Sequence, residues 1–243
     1  MEMQHFINNR KLLLEYYSNN IHTAKSPVII SMGNWEPAFR GFPLMNSIHD
    51  RRCVVISYRG RGNSSTPKKG WDWKNHANDL ELLVKKEKIE QPVFIAFSKG
   101  VSYTLGYLER RPEIASGVIL IDYPAIHASA EKGYAKFWYT MKYREFHLKD
   151  HIRLKALQGI ENESTEKTFY GTIKKLECPI EVFVGRNSSS ERPSNISDKD
   201  IENYRKANKR ITFKYFYESG HMILDEELDK ACKEISVFLN SLG

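Results

Sequence analysis

The sequence predicts an α/β fold, with a mostly parallel central sheet covered on both faces by helices. Two observations carry that expectation. Apolar runs of strand length, such as Val28-Ile29-Ile30 and Val93-Phe94-Ile95-Ala96-Phe97, are unbroken by polar residues, as expected of strands buried on both sides. Longer amphipathic stretches separate these runs, and that alternation is the pattern of helices crossing over a parallel sheet. With 243 residues and 41% hydrophobic content, the chain can bury one sizeable core, so a single domain over residues 1–243 is expected.

From the N-terminus, His5 to Ile7 and Lys11 to Ser18 read as a hairpin around Asn8-Asn9-Arg10, because asparagines tolerate the left-handed backbone of tight turns. Pro27 to Asn34 is a buried strand ending in a glycine turn, and Cys53 to Tyr58 is another, followed by the turn-rich loop Arg59 to Pro67. Trp73 to Lys88 places Ala77, Leu80, Leu83 and Val84 at helical spacing with charges opposite. After the run at Val93 come a helix over Val101 to Arg110 and a strand over Gly117 to Asp122. Ile180 to Gly185 and Phe213 to Tyr217 supply the last two strands, and Leu228 to Leu239 closes the chain as an amphipathic helix. Between about residues 123 and 176 the pattern is not strand-like. That segment interleaves Tyr134, Phe137, Trp138, Tyr139, Tyr143 and Phe146 with lysines and arginines.

Composition narrows the class. No basic segment followed by an apolar core opens the chain, so a cleaved secretory peptide is not expected, and no run is long enough to span a bilayer. Cys53, Cys178 and Cys232 are odd in number and lack metal-ligand spacing, which favours free thiols in a reducing cytoplasm over a disulfide framework or a zinc site. The formal charge of +7 is spread along the chain without a recognition motif. A solvated basic surface is therefore expected rather than nucleic-acid binding, with attraction of anionic substrates a milder possibility.

One serine stands out. The run Pro92 to Phe97 breaks at Ser98, and a helical pattern follows at once. A serine on a sharp strand-to-helix turn has a strained backbone, so the residues two before and two after it must be small. Ala96 and Gly100 meet that demand. Its hydroxyl would lie at a helix N-terminus, where amides stabilise developing negative charge. The plain alternative is a buried strand with a chance serine. Three further features accompany the elbow in order: the Gly33 turn, the Gly60-x-Gly62-x-Ser64 turn, and Ser219-Gly220-His221 after the last strand. Together, over nearly the whole chain, they resemble the α/β-hydrolase family.

The resemblance implies a serine hydrolase that cleaves an ester or thioester through an acyl-serine intermediate. Ser98 would be the nucleophile and His221 its base, with His127, His147 and His151 structural; backbone amides of Asn34 and Lys99 would form the oxyanion hole. It also implies a helical cap at about 123–176, with Tyr134, Phe137 and Trp138 joining Trp35 against the substrate; amphipathic helices simply packed on the domain would give the same pattern. The family often has His-Gly where Met32-Gly33 stands, which leaves the backbone donor but removes a side chain that helps fix the loop. Its usual acid follows the strand after the cap, yet Gly185-Arg186-Asn187-Ser188 contains none. Asp122 is the favoured substitute, since a carboxylate on a rigid strand end is better positioned than one on a mobile loop. Glu191, and further on Asp198 and Asp200, are the alternatives. A ligand-binding or weakly active protein lacking the usual acid, or a nonhydrolytic lyase, are the other readings. No metal or organic cofactor is implied, the expected partner is a small-molecule acyl substrate, and the oligomeric state is left open.

Overall fold

The computed structural model describes residues 2–9 and 12–243. Strands β1 (Met3–Asn9) and β2 (Leu12–Ser18) pair antiparallel with Ile7 opposite Leu14, so that Asn8 and Asn9, expected at the turn, continue β1; Arg10, expected at the turn, and Lys11, expected to open the second strand, lie outside the described residues. Next come β3 (Val28–Ser31), the short helix α1 (Phe42–Asn46) and β4 (Cys53–Ile56). Helix α2 (Trp73–Lys86) starts where the Asp72 side chain accepts the Trp73 amide, buries Ala77, Leu80, Leu83 and Val84, and ends with Lys85 and Lys86 against its negative pole. Strand β5 (Val93–Phe97) is buried throughout and passes through Ser98 into α3 (Gly100–Leu108). Strand β6 is Gly117–Ile121.

The following excursion is mainly helical. Contrary to the sequence expectation, it also contains two short antiparallel pairs, one joining the two ends of the excursion and one a tight hairpin in its middle, each satisfying backbone groups locally. Strand β7 (Ile126–His127), helix α4 (Tyr134–Thr140), strands β8 (Lys142–Tyr143) and β9 (Phe146–His147), helix α5 (Leu154–Glu163), strand β10 (Lys167–Thr168) and helix α6 (Tyr170–Lys175) follow in order. β7 pairs with β10, and β8 with β9. The chain then forms β11 (Ile180–Gly185), α7 (Asp198–Ala207) behind a Ser197–Asp200 capping box, β12 (Thr212–Phe216), the single turn α8 (Ile223–Glu226) and α9 (Leu228–Asn240).

The long strands form a sheet in the order β1-β2-β4-β3-β5-β6-β11-β12. β2 is antiparallel to β1 and β4, whereas every neighbouring pair from β4 to β12 is parallel. Alternate side chains divide the core between the two faces. Phe94 and Ala96 pack with residues of α2, α3, α6 and α7, while Val93, Ile95 and Phe97 pack with α1, α5 and α9. The last helix of the excursion, α6, therefore sits in the sheet core through Ile173, next to Phe169 and Leu176. Because the parallel strands share a direction, the loops after β3, β5, β6, β11 and β12 all open on one edge. The site lies there.

Candidate active site

Ser98 follows β5 with φ at +54°, in the left-handed region that a side-chain-bearing residue occupies only under constraint. Its amide donates to Ile121 O at 3.0 Å. Gly100 begins α3 so close to β3 that a Cβ there would stand 2.3 Å from Ser31 O and 2.6 Å from Met32 O. Neither backbone oxygen can yield without opening the sheet. This contact is the physical reason for a small residue two places after the serine.

His221, on the loop after β12, brings Nε2 to 2.9 Å from Ser98 Oγ, and its Nδ1 lies 2.8 Å from Asp122 Oδ2. Asp122 caps β6 with φ at +47°. Its Oδ1 accepts from the Gly185 amide at 2.9 Å and the Ser194 hydroxyl at 2.6 Å, and its Oδ2 accepts the Asn195 amide at 2.9 Å. The carboxylate is fully buried. Four donors thus surround it, which offsets the cost of burying a charge. Nδ1 carries the proton in this arrangement, leaving the Nε2 lone pair facing Ser98. Glu191 is exposed, Asp198 pairs with Arg186, and Asp200 closes the capping box of α7. None of these three carboxylates meets His221. Of the other histidines, His127 is bound to Ser102 Oγ at 2.9 Å, and His147 is exposed.

The turn after β3 faces the elbow. Its shape is held from two sides. Arg61, fully buried, donates Nε to Asn34 O at 2.8 Å and Nη1 to His76 Nε2 at 3.0 Å. Burial, reinforced by Arg61 and Arg59, keeps His76 neutral by holding it well below its usual range, so its Nδ1 donates to Asp72 O and Nε2 accepts. On the other side, Glu36 Oε2 accepts the Gly33 amide at 2.9 Å. A Cβ on Gly33 would sit 2.6 Å from that carboxyl oxygen and 3.0 Å from Ser98 Cβ, so any side chain there would displace the Glu36 carboxyl and crowd the serine. Arg40 reaches Glu36 at 3.5 Å and forks onto both oxygens of Asp225 in α8, at 2.8 and 2.6 Å. Burial pushes Glu36 up to about 7, opposed by Arg40. Glu36 thus ties down the Gly33 turn from beneath, and nothing in the sequence spacing marked it.

Two hollows flank Ser98 and His221. One, a narrow space of about 20 Å³, is lined by Trp35, Glu36, Met141 and Tyr143, and the other, of about 220 Å³, by Lys99, Tyr123, Tyr134 and Asn195. Asn34, Trp138 and Arg192 border both. Phe137 does not. It is 56% exposed, because α4 turns the face of Ala135 and Trp138 inward and Phe137 falls on the outer side, against the edge of Trp138. Phe137 is thus a correction to the expected substrate-facing set. Arg192 and the buried Lys99 side chain were not singled out as pocket groups, since only the fold aims them there.

No family model matches the sequence, and no curated protein matches it in sequence. Solved structures do resemble it. An esterase from Rhodococcus sp. ECU1013 superposes with a TM-score of 0.80 at 16% identity, covering 100% of this chain and 99% of that one. The chain has the α/β-hydrolase fold. An esterase from Exiguobacterium antarcticum matches with a TM-score of 0.76 at 18% identity over 98% and 100% of the two chains, and an E-2-(acetamidomethylene)succinate hydrolase with 0.76 at 14% over 99% and 100%. Within this α/β-hydrolase fold, the carboxylate that meets the histidine comes from the end of β6 rather than from the loop after β11. No described helix is long and apolar enough to cross a membrane.

Proposed function

We propose that the chain is a serine hydrolase that cleaves a carboxylic ester or thioester through an acyl-Ser98 intermediate. The observation that carries the reading is the unbroken relay from Ser98 Oγ through His221 to Asp122, at 2.9 and 2.8 Å. As Oγ attacks the carbonyl carbon, Nε2 takes its proton and the carbonyl π pair moves onto oxygen. The amides of Lys99 and Asn34 donate to that oxyanion, with about 3 kcal/mol of barrier lost if one such donor is removed. The protonated Nε2 then gives its proton to the departing alcohol or thiol. Water, deprotonated by the same nitrogen, attacks the acyl carbon, releasing the acid and restoring Ser98. Asp122 holds the ring in the tautomer that each transfer needs and stabilises the imidazolium between them.

The solved structures that share the fold include esterases, which favours the same bond type here. In this reading α4 and α5 form a cap whose Tyr134 and Trp138 contact the acyl chain, and the segment as a whole belongs to a single domain. The test is labelling with a fluorophosphonate alongside turnover of p-nitrophenyl and CoA esters of graded chain length. Wild type should label and hydrolyse at least one ester, and Ser98→Ala should do neither. Folded wild type that stays unlabelled and inert would sink the proposal.

A further inference from the structure

Lys99 is an unusual neighbour for a nucleophile. Its side chain is only 6% exposed, and Nζ has one hydrogen bond, to Ala128 O at 3.2 Å, with the Tyr134 ring 5.6 Å away. Among the described residues no carboxylate lies within ion-pair distance of it. A buried ammonium without a counter-ion is costly and gains from any anion brought to it. Burial, with Arg61 adding to it and Asp72 opposing, pushes Lys99 down to about 8, so it remains mostly charged at neutral pH.

The larger hollow beside Ser98 is built around this cation. No aspartate or glutamate lines it. Arg192 borders it with its guanidinium 5.4 Å from the centre of the Trp138 ring and Nη1 3.0 Å from Met141 Sδ, again without a described carboxylate partner. Asn34, 5% exposed, borders the same space, and its side-chain oxygen and nitrogen make no hydrogen bond of good geometry among the described residues, with the Tyr134 hydroxyl the polar group beside them. Buried polar atoms are almost always satisfied. A buried cation and an unsatisfied amide bordering one cavity next to a nucleophile are together the recognition elements of an anionic ligand.

We propose that the substrate is an ester or thioester carrying a carboxylate, which Lys99 and Asn34 hold in this hollow with Arg192 at its mouth. The inference rests on the hydrolase reading above and narrows it to a substrate class. A monoanion is favoured over phosphate because the buried part of the hollow offers one full charge, that of Lys99, while Arg192 is already seated on Trp138 and Met141.

The experiment compares kcat/KM for monomethyl glutarate and the neutral methyl hexanoate at constant ionic strength. Wild type should favour the anionic ester by at least about tenfold, the scale of a charge-assisted hydrogen bond in a desolvated site. Lys99→Met keeps the apolar stem and should bring that ratio close to one, and Arg192→Gln should lower it by about threefold. Because the ratio is internal to each protein, a general loss of activity cancels. If Lys99→Met fails to fold, Arg192→Gln and inhibition by free glutarate decide the matter. A wild-type ratio of one or below, ratios unchanged in both variants, or inhibition by inorganic phosphate at lower concentration than glutarate would each overturn the assignment. Fluorophosphonate labelling of the same samples separates the two levels. Labelled enzyme that prefers the neutral ester removes this inference alone, whereas unlabelled enzyme inert toward both esters removes the hydrolase reading as well.

Discussion

Asp122 and His221 meet at 2.8 Å although 99 residues separate them. The contact exists because β6 and β11 are parallel neighbours, with Ile121 opposite Phe183. A carboxylate at the end of β6 therefore reaches the space that the loop after β11 also borders, and the Gly185 amide at that loop's start donates to it. Asp122→Asn preserves shape but reverses the hydrogen-bond polarity at Nδ1. Turnover should fall by about four orders of magnitude, while Glu191→Gln should stay within about twofold of wild type. Steady-state kinetics on one ester suffices, and a collapse in the glutamate variant would show the wrong acid has been chosen.

The strained elbow gives a stability prediction that runs against the usual rank of residues. Ser98→Ala and Ser98→Gly both lose the hydroxyl and its bond to His221. They differ only in a Cβ held at φ +54°. Left-handed backbone costs a side-chain-bearing residue about 1 kcal/mol relative to glycine, so the glycine variant should be the more stable by about that amount. Urea unfolding midpoints measure the difference, and an alanine variant that outlasts the glycine one would mean the elbow stores no strain.

Within α4, adjacent aromatics should behave differently. Trp138→Ala opens both hollows and removes the surface on which Arg192 rests, so KM should rise by about tenfold or more for long-chain esters, consistent with about 1–3 kcal/mol of lost apolar contact. Phe137→Ala removes an outward-facing ring and should leave KM within about twofold. Equal effects from the two would place the inner face of the helix elsewhere.

Glu36 predicts a pH dependence of stability. Its folded pKa, pushed up to about 7 from an ordinary 4.5, means the folded protein binds the proton more tightly than the unfolded chain does. The resulting stabilisation is fully present below about pH 4.5 and is lost as pH rises through about 7. Glu36→Gln keeps an acceptor for the Gly33 amide but cannot titrate. Wild type should therefore lose on the order of 3 kcal/mol relative to the variant between pH 4.5 and pH 8. Denaturant unfolding of both proteins across that range is the check, and a constant difference would contradict the buried, titrating carboxyl.

The sequence by itself determined the parallel α/β architecture, because unbroken apolar runs such as Val93 to Phe97 are stable only with both faces covered. It determined the location of the sharp turn as well, since Ala96 and Gly100 flank Ser98 at the spacing such a turn requires, although the contact that demands a glycine at 100 comes from the distant β3. What it left open was every matter of distance between segments. Asp122 and Glu191 were both available, and Phe137 looked as substrate-facing as Trp138. Tertiary structure alone decided which carboxylate stands behind His221, turned Phe137 to solvent, put Glu36 under the Gly33 turn and aimed Lys99 into a hollow without a counter-ion. These outcomes depend on strand register and helix phase across the sheet edge, where electrostatic and packing energies act through space between residues that the linear order keeps far apart.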